Sequence, residues 1–391
     1  MQIFISTGEV SGDLQGSMLV EALYRQAKQQ NIPLEILALG GNLMEAAGAK
    51  LLGNTAGIGS IGIVEALPFI IPTWLMQRRV KAYLRDNPPD VLILLDYMGP
   101  NVAFGKYARK HLPHVPIIYY IAPQSWVWAP NNKTIEQFAE ITDILLAIFP
   151  EEARFFEKKG VKVKWVGHPL LDRMAKAPSR EATRQALGIK EDQLVVALFP
   201  ASRYQELKYH LPLICKAAQK LQTKVPNVHF LLPVSLKEYR HTIEEMVKQY
   251  DLSITLFDGR AIEVMAAADF AIAKSGTVNL ELALLDIPQL VLCLVNPLTM
   301  WIARNVLKFS IPFMSPPNLV VMEEIVPELL QEEATIDRIV DESLDLLLNP
   351  ERRQKTFADY EQMRTLLGEV GVCDRVAHEI LHYQNQSTIA S

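Results

Sequence analysis

The feature that most constrains this chain is a repeated switch between short runs dominated by β-branched and aliphatic residues and helix-length amphipathic segments. In the first part the runs are "QIFIS", "LEILALG", "VLILLD", "PIIYYIA", "DILLAIF" and "VKVKWVG". A strand with one wet face alternates apolar and polar residues. A run that is apolar throughout needs cover on both faces, which parallel sheets obtain from their crossover helices. After His168 the strand signal stops, and "PLLDRMAKAPSREATRQALGIKEDQ" is polar and helix-prone. The alternation restarts with "LVVALFP", "VHFLLPV", "LSITLF", "DFAIAK" and "QLVLCLV", and from Thr335 the pattern is helical to the end. The pattern predicts an α/β chain of two doubly wound parallel-sheet domains facing a cleft: residues 1–168, a linker at 169–192, residues 193–334, and a helical tail at 335–391. No repeat of 20 to 50 residues competes with this division.

The 391 residues, 49% hydrophobic and 21% charged, suffice for two cores. A net charge of -5 without a Lys/Arg-rich arm excludes a general nucleic-acid binder, which needs many phosphate contacts. Cys215, Cys293 and Cys373 stand far apart with no C-x-x-C spacing, so neither a disulfide framework nor a zinc cluster is expected and a reducing cytoplasm fits. The opening "MQIFISTGEVSGD" has no basic n-region and no long apolar stretch, so no export signal is expected.

Ligands of such sheets bind outside the carboxyl ends of the strands. In "ADFAIAKSGTVNLELALLDIP" an apolar run enters Ser275-Gly276-Thr277 and then a helix. These residues read either as a plain Ser- or Thr-capped helix or as a diphosphate seat, where backbone N–H groups and hydroxyls meet the positive helix end. Glu281 favours the second reading. It does not stand three residues after Ser275 or Thr277, as a capping box requires, but one turn past Thr277, where a carboxylate can accept both hydroxyls of a ribose. "LVVALFPASRYQEL" places Ser202 and Arg203 before another helix, with Arg203 either a bidentate phosphate ligand or a surface residue. "LFDGR", from Leu256 to Arg260, reads as a further strand-end loop able to receive a base, or as plain Asp-Gly turn chemistry.

In the first domain, "STGEVSGDLQG" carries Gly8, Gly12 and Gly16 after the first strand. It is not G-x-G-x-x-G and no acid follows at the second strand end, which disfavours nicotinamide and flavin cofactors. Glu9, Ser11 and Asp13 either hydrogen-bond a sugar or belong to a glycine-rich turn with a capped helix.

At this point "GEVSGDLQG", "GIVEAL", "YIAPQSWVW", "VGHPLLD", "PASR", "KSGTVNLE" and "PPNLV" followed by "VPELLQEE" stand in an order that resembles the lipid-A-disaccharide synthase family. The resemblance runs over nearly the whole chain. It implies a GT-B glycosyltransferase that joins UDP-2,3-diacylglucosamine to 2,3-diacylglucosamine 1-phosphate with inversion, needs no cofactor and releases UDP. It puts the UDP donor near Ser202, Arg203, Ser275, Gly276, Thr277 and Glu281, with Asn318 and Gln331 as further donor-side positions. By themselves Asn318 reads as a turn residue and Gln331 as a helix-surface residue. The acceptor is expected at Glu9, Ser11, Gly12, Asp13 and Trp126.

Two departures from the family pattern bear on the acceptor. The family usually reads D-x-P-D-F-N where this chain has Asp96-Tyr97-Met98-Gly99-Pro100-Asn101, so Gly99 replaces a carboxylate. Asp96, at the carboxyl end of "VLILLD", is the remaining candidate for the catalytic base, or else a strand-end Asp capping the next turn. Ala129-Pro130 follows "SWVW" where the family commonly has a basic residue.

"GIVEALPFIIPTWLMQRRVKAYLR" combines Phe69, Ile70, Ile71, Trp74, Leu75 and Met76 with Arg78, Arg79, Lys81 and Arg85. Too short to span a bilayer, it reads either as an interfacial wedge or as a core-facing helix. The wedge implies a cytoplasmic protein held peripherally at the inner face of the cytoplasmic membrane. "HEILH", from His378 to His382, spells the zinc-protease motif but has no third ligand after it, so an amphipathic terminal helix is expected. No D-x-D pair stands ready to hold a metal against a diphosphate, and no metal is expected. Two alternatives stay open: another UDP-sugar enzyme of the same architecture, such as an epimerase or a transferase with a soluble acceptor, and a non-catalytic UDP-sugar-binding protein. The helical tail is expected either to pack on its own domain or to exchange in a homodimer.

Overall fold

The computed structural model describes residues 1–55, 69–128, 132–201, 204–235 and 237–387. Among them the strands are β1 Gln2–Ser6, β2 Glu35–Gly40, β3 Lys50–Asn54, β4 Val91–Leu95, β5 Ile117–Tyr120, β6 Ile144–Ala147 and β7 Val163–Trp165. There follow β8 Leu194–Phe199, β9 Val228–Val234, β10 Ile254–Asp258, β11 Phe270–Lys274, β12 Gln289–Cys293 and β13 Glu328–Leu330. They form two sheets, ordered β3-β2-β1-β4-β5-β6-β7 and β10-β9-β8-β11-β12-β13. Every pairing is parallel, for example Ile3 with Ile36 and Ile272 with Leu198.

The apolar runs are explained by what their alternate residues meet. In the second sheet Val196, Leu198, Phe230, Leu232 and Ile272 enter one core, and Val195, Ala197, Leu231, Ala271 and Ala273 enter a different one on the other face. Successive side chains of a strand point to opposite faces, so two covered faces demand an apolar residue at every position. In the first sheet Phe4, Leu92, Leu94, Ile117 and Tyr119 share a core with Phe104, Phe138 and Phe156. There Phe4 and Phe104 stack at 5.4 Å.

Two strands lie outside the runs quoted above, β3 and β13. Both are edge strands, and their residues are partly exposed rather than uniformly buried. With one neighbour and one wetter side they carry no continuous apolar signature.

The chain divides into two compact units. Unit 1 holds Met1–Asp172, Ile302–Ser310 and Leu367–Ser391; unit 2 holds Arg173–Trp301 and Ile311–Leu366. The helical tail is therefore shared: helix Ile336–Leu348 belongs to unit 2, whereas helix Val372–Ser387 belongs to unit 1 and packs along helix Val10–Gln29 of the same chain. Its first turn is held by Asp172, whose carboxylate accepts the N–H groups of Gly371, Val372 and Cys373. That explains the aspartate of "VGHPLLD": four orphan N–H groups begin every helix, and a carboxylate there is favoured by the helix dipole as well.

Strand order reverses beside β1 and β4 in the first sheet and beside β8 and β11 in the second. These switch points open a crevice at the carboxyl ends, where open α/β sheets bind ligands. Thr7 to Glu9 and Asp96 to Tyr97 stand at the first, and Ser275 to Thr277 at the second.

Candidate functional site

In unit 2, β11 ends at Lys274 and helix Thr277–Leu284 begins three residues later. The turn between is organised by Asn279, which is fully buried and takes the Gly276 N–H on Oδ1 at 2.7 Å. Asn279 thus does the work a Glu or Gln does in a capping box, which the sequence pattern did not reveal. Its Nδ2 donates to Gln289 Oε1, and Gln289 returns a bond to the Asn279 carbonyl at 2.7 Å. With Gly276 occupied, the first-turn N–H groups of Thr277 and Val278 have no carbonyl within their own helix. The Ser275 hydroxyl donates to the Met314 carbonyl at 2.8 Å, and its lone pairs remain able to accept. Below the turn, buried Lys274 places Nζ 3.2 Å from Glu206 Oε1, adding a cation to the positive helix end.

Glu281 lies one turn into this helix and is buried. Arg173, from helix Leu170–Met174, donates Nε to its Oε1 at 2.9 Å. Burial pushes the Glu281 carboxyl above the usual range, and the Arg173 charge offsets part of that rise. The structure brings Ser275, Gly276, Thr277 and Glu281 together at one strand end. Ser202 and Arg203 lie outside the described residues.

Asn318 organises the loop beside this strand end. It is fully buried, its Oδ1 accepts Ile325 N and Val326 N, and its Nδ2 donates to the Val326 carbonyl and to Glu328 Oε1. All its hydrogen-bonding capacity is spent inside the chain, so it shapes the loop rather than presenting an amide to a ligand. Glu328, unnoticed in the sequence, completes that loop by accepting Met314 N, Ser315 N and the Ser315 hydroxyl. Gln331 follows β13 with a φ of 49°, and its Nε2 donates to the Val295 carbonyl at 3.2 Å. It opens the short 3-10 helix Gln331–Glu333 and is partly exposed, so it stands both at a strand end and on a helix surface. Asp258, in the loop considered for a base, pairs with Arg240 at 3.0 Å.

In unit 1 the carboxyl ends of three adjacent strands carry non-glycine residues in the left-handed region: Glu9 after β1 (φ 80°), Asp96 and Tyr97 after β4 (φ 48° and 53°), and Ile121 after β5 (φ 61°). Such residues each cost on the order of 1–3 kcal/mol and persist only where their surroundings over-determine them. Here the surroundings are visible. Asn101, fully buried, donates Nδ2 to the carbonyls of Ser6, Leu95 and Asp96 at 2.8–3.1 Å and accepts the Ser6 hydroxyl at 2.8 Å. Tyr119 donates its hydroxyl to the Asp96 carbonyl, and Asp96 N donates to Ile121 O. The Tyr97 ring lies where a side chain on Gly8 would stand, which is why that position is glycine. Asp96 is partly exposed at this edge.

Among the expected acceptor residues, Glu9 and Ser11 are partly exposed, and Gly12 is buried against the Thr7 hydroxyl, where a Cβ would overlap it. Asp13 is buried, and both its oxygens accept backbone N–H groups, those of Gly41, Leu43 and Met44, at 2.9–3.1 Å. It caps helix Asn42–Ala46. Trp126 follows β5; its Nε1 is buried without a protein partner, as is the Tyr120 hydroxyl. The loop that carries it is clamped by Glu152, fully buried, which accepts Ala122 N, Ile148 N and Phe149 N at 2.6–3.0 Å. Burial pushes that carboxyl up to about 7 despite the three N–H groups. His168 stacks on Phe149, and burial pushes its imidazole down to about 3. Ala129 and Pro130 lie outside the described residues.

The segment considered for a membrane is described from Phe69. Helix Ile70–Asp86 buries Gln77, Val80 and Leu84 and leaves Ile70, Ile71, Trp74 and Leu75 more than half exposed. The core-facing reading thus holds for its second half alone; residues 63–68 lie outside the described part. No described helix is long and apolar enough to cross a membrane. His378 and His382 stack on each other at 4.2 Å, and among the described residues no group of three His, Cys, Asp or Glu side chains is placed to hold a metal.

With this geometry in hand, comparisons with known proteins are specific. The family model for lipid-A-disaccharide synthetase matches residues 3–381. The lipid-A-disaccharide synthase of Gloeothece citriformis is 64% identical over 383 residues, covering 98% of this chain and 100% of that one. The one from Synechocystis sp. is 57% identical over 387 residues, covering 98% of each. Among solved structures, UDP-GlcNAc 2-epimerase from Neisseria meningitidis, bound to UDP-GlcNAc, superposes with a TM-score of 0.68 at 14% identity, covering 97% of this chain and 100% of that one. A Methanocaldococcus jannaschii UDP-GlcNAc 2-epimerase, in complex with UDP-GlcNAc and UDP, gives 0.62 at 15% identity, covering 98% and 100%. At such identities the structural likeness speaks for the fold, two parallel-sheet domains of GT-B type with a helical C-terminal tail.

Proposed function

This chain belongs to the lipid-A-disaccharide synthase family, and from that premise we propose how its own residues carry out a glycosyl transfer of lipid A biosynthesis. The donor is UDP-2,3-diacylglucosamine and the acceptor 2,3-diacylglucosamine 1-phosphate. The observation that carries the reading is the turn Ser275-Gly276-Thr277 at a topological switch point, with the buried carboxylate of Glu281 one helical turn behind it. The turn receives the diphosphate on free N–H groups and hydroxyls, and Glu281 receives the ribose. Asn318 and Glu328 support this edge by shaping the loop beside it.

Asp96 is the base. Its carboxylate takes the proton of the acceptor hydroxyl as that oxygen attacks the anomeric carbon; the bond to the diphosphate breaks with its electron pair going to UDP. Inversion follows from a single displacement. The helix end at Thr277, together with Lys274 below it and Arg203, meets the charge that develops on the leaving group. Glu9, Ser11 and Trp126 are the acceptor-side residues.

The acylated substrates reach the enzyme at a membrane surface. Ile70, Ile71, Trp74 and Leu75 supply an exposed apolar face, and Arg78 lies 5.6 Å over the Trp74 ring, with Arg79 and Arg85 along the same helix. An apolar face bordered by cations suits the interface of an anionic leaflet. The deciding experiment follows UDP release from UDP-diacylglucosamine by the purified protein, with and without the lipid monosaccharide phosphate. Acceptor-dependent release is expected. Binding of UDP with no release under either condition would leave a nucleotide-sugar-binding protein, and acceptor-independent conversion of the donor would leave an epimerase.

A further inference from the structure

Four buried or half-buried carboxylates of this chain are held on both oxygens by their own protein. Asp13, Glu152 and Asp172 each accept three backbone N–H groups, and Glu328 accepts two N–H groups, a hydroxyl and an amide. Each ties loops or helix ends together. Glu281 is built differently. It is 7% exposed, yet among the described residues its one donor is Arg173 Nε, on Oε1. Among the described residues Oε2 has no hydrogen-bond partner, and it is not among the atoms sealed away without one, which are the Tyr120 hydroxyl and Trp126 Nε1. One oxygen is held and the other is left open toward whatever enters.

A buried ion pair is a poor stabilising device, since the cost of desolvating two charges can exceed their attraction. A pair kept in so dry a place with half its acceptor capacity unused calls for a partner that arrives later. Without the guanidinium, burial would favour the neutral carboxyl, which donates a proton from one oxygen and cannot accept two hydroxyls on equal terms. Arg173 is suited to the opposite task. It remains charged in any protein setting, its planar group fixes direction as well as charge, and it stands on a short helix that is partly exposed.

We propose that Arg173 is a positioning residue for nucleotide binding: it holds Oε1 of Glu281 so that Oε2 stays ionised and aimed at the ribose hydroxyls. This rests on the reading of Glu281 as the ribose acceptor. Arg173 touches no reacting atom; it acts through Glu281. Its neighbour Asp172 anchors the last helix of unit 1, so two consecutive charged residues of "VGHPLLDR" serve different units, one by saturating a helix end and one by leaving an oxygen open.

The test is a binding cycle by calorimetry with UDP and 2′,3′-dideoxy-UDP on wild type, Arg173→Met, Glu281→Gln and the double variant. Wild type is expected to prefer UDP over the dideoxy analogue by about tenfold or more, the weight of hydrogen bonds to a charged acceptor. Arg173→Met should lose most of that preference while binding the dideoxy analogue as wild type does, and the double variant should lose no more. Arg173→Gln, which keeps a donor without the charge, must lose the same preference and serves where the Met variant does not fold. A wild-type preference for UDP in either folded variant overturns the proposal. So does an equal weakening of both ligands, which would make Arg173 a general support of the fold. A Glu281→Gln protein that still prefers UDP overturns the ribose reading itself, an outcome separate from the fate of Arg173.

Discussion

The carboxyl edges of the two sheets, where we propose that substrates bind, are built by opposite means. At the first, four non-glycine residues in left-handed conformation follow β1, β4 and β5, and they are held there by Asn101, Tyr119 and Glu152. At the second, the turn after β11 has no such residue, and Gln331 after β13 is the one described strand end that does. The donor seat proposed there consists of a helix end, a lysine and an open carboxylate. Strain suits an edge that must fix a reacting group to a fraction of an ångström, because a network of buried polar groups leaves it no alternative position. A seat for phosphates and a sugar needs charge and donors more than strain, and a relaxed turn supplies them.

The comparison breaks most visibly at Asp96. Asp96→Asn keeps shape at the strained turn and should lower turnover by about 10²- to 10⁴-fold, the usual contribution of general base catalysis, with UDP affinity unchanged. Steady-state rates beside calorimetry check this; normal turnover would move the base elsewhere, with Glu9 next in reach of the same edge.

Asn101→Ala attacks the support rather than the base. Three carbonyls lose a buried donor and Ser6 loses its acceptor, so a destabilisation of about 2–3 kcal/mol is expected in thermal melts. UDP affinity, a property of the other edge, should stay as it was. A melting point equal to wild type would show that the strained turns hold themselves.

The pH dependence of the first edge follows from His168. Its folded value of about 3 lies below the ordinary 6.5, so its contribution to stability is complete above pH 6.5 and is lost as pH falls from there toward 3. Glu152 runs the other way: its folded value of about 7 lies above 4.5, so its contribution is complete below 4.5 and is lost as pH rises through 7. His168→Gln should therefore gain on wild type as pH drops below 6.5, by at most about 1.4 kcal/mol per unit. Melts of both proteins from pH 7.5 to 5 read this directly, and parallel curves would contradict it.

Gly99→Asp is the mildest test. A Cβ at this exposed position meets nothing within 4 Å, so stability should change by less than about 0.5 kcal/mol and UDP affinity not at all. Turnover then reports what a second carboxylate adds beside Asp96. A larger loss of stability would mean that glycine was required by the turn.

Much of this protein follows from local pattern. Runs such as "LVVALF" and "FAIA" are apolar at every position, which two covered sheet faces require, and strand-to-helix junctions at Ser275 and Asp96 mark the proposed binding edges by chain order alone. The separation of Glu281 from Thr277 was informative because helix periodicity is local. Tertiary structure decided the roles of the polar side chains. Asn101 meets Ser6 across 95 residues, Glu281 meets Arg173 across 108, and Asp172 meets Cys373 across 201. No spacing rule announces those partners, nor that Asp13 holds three N–H groups and Asn318 four backbone and side-chain groups of this chain. A residue's type states how many hydrogen bonds it can make; only the folded chain determines how many are left over for a ligand.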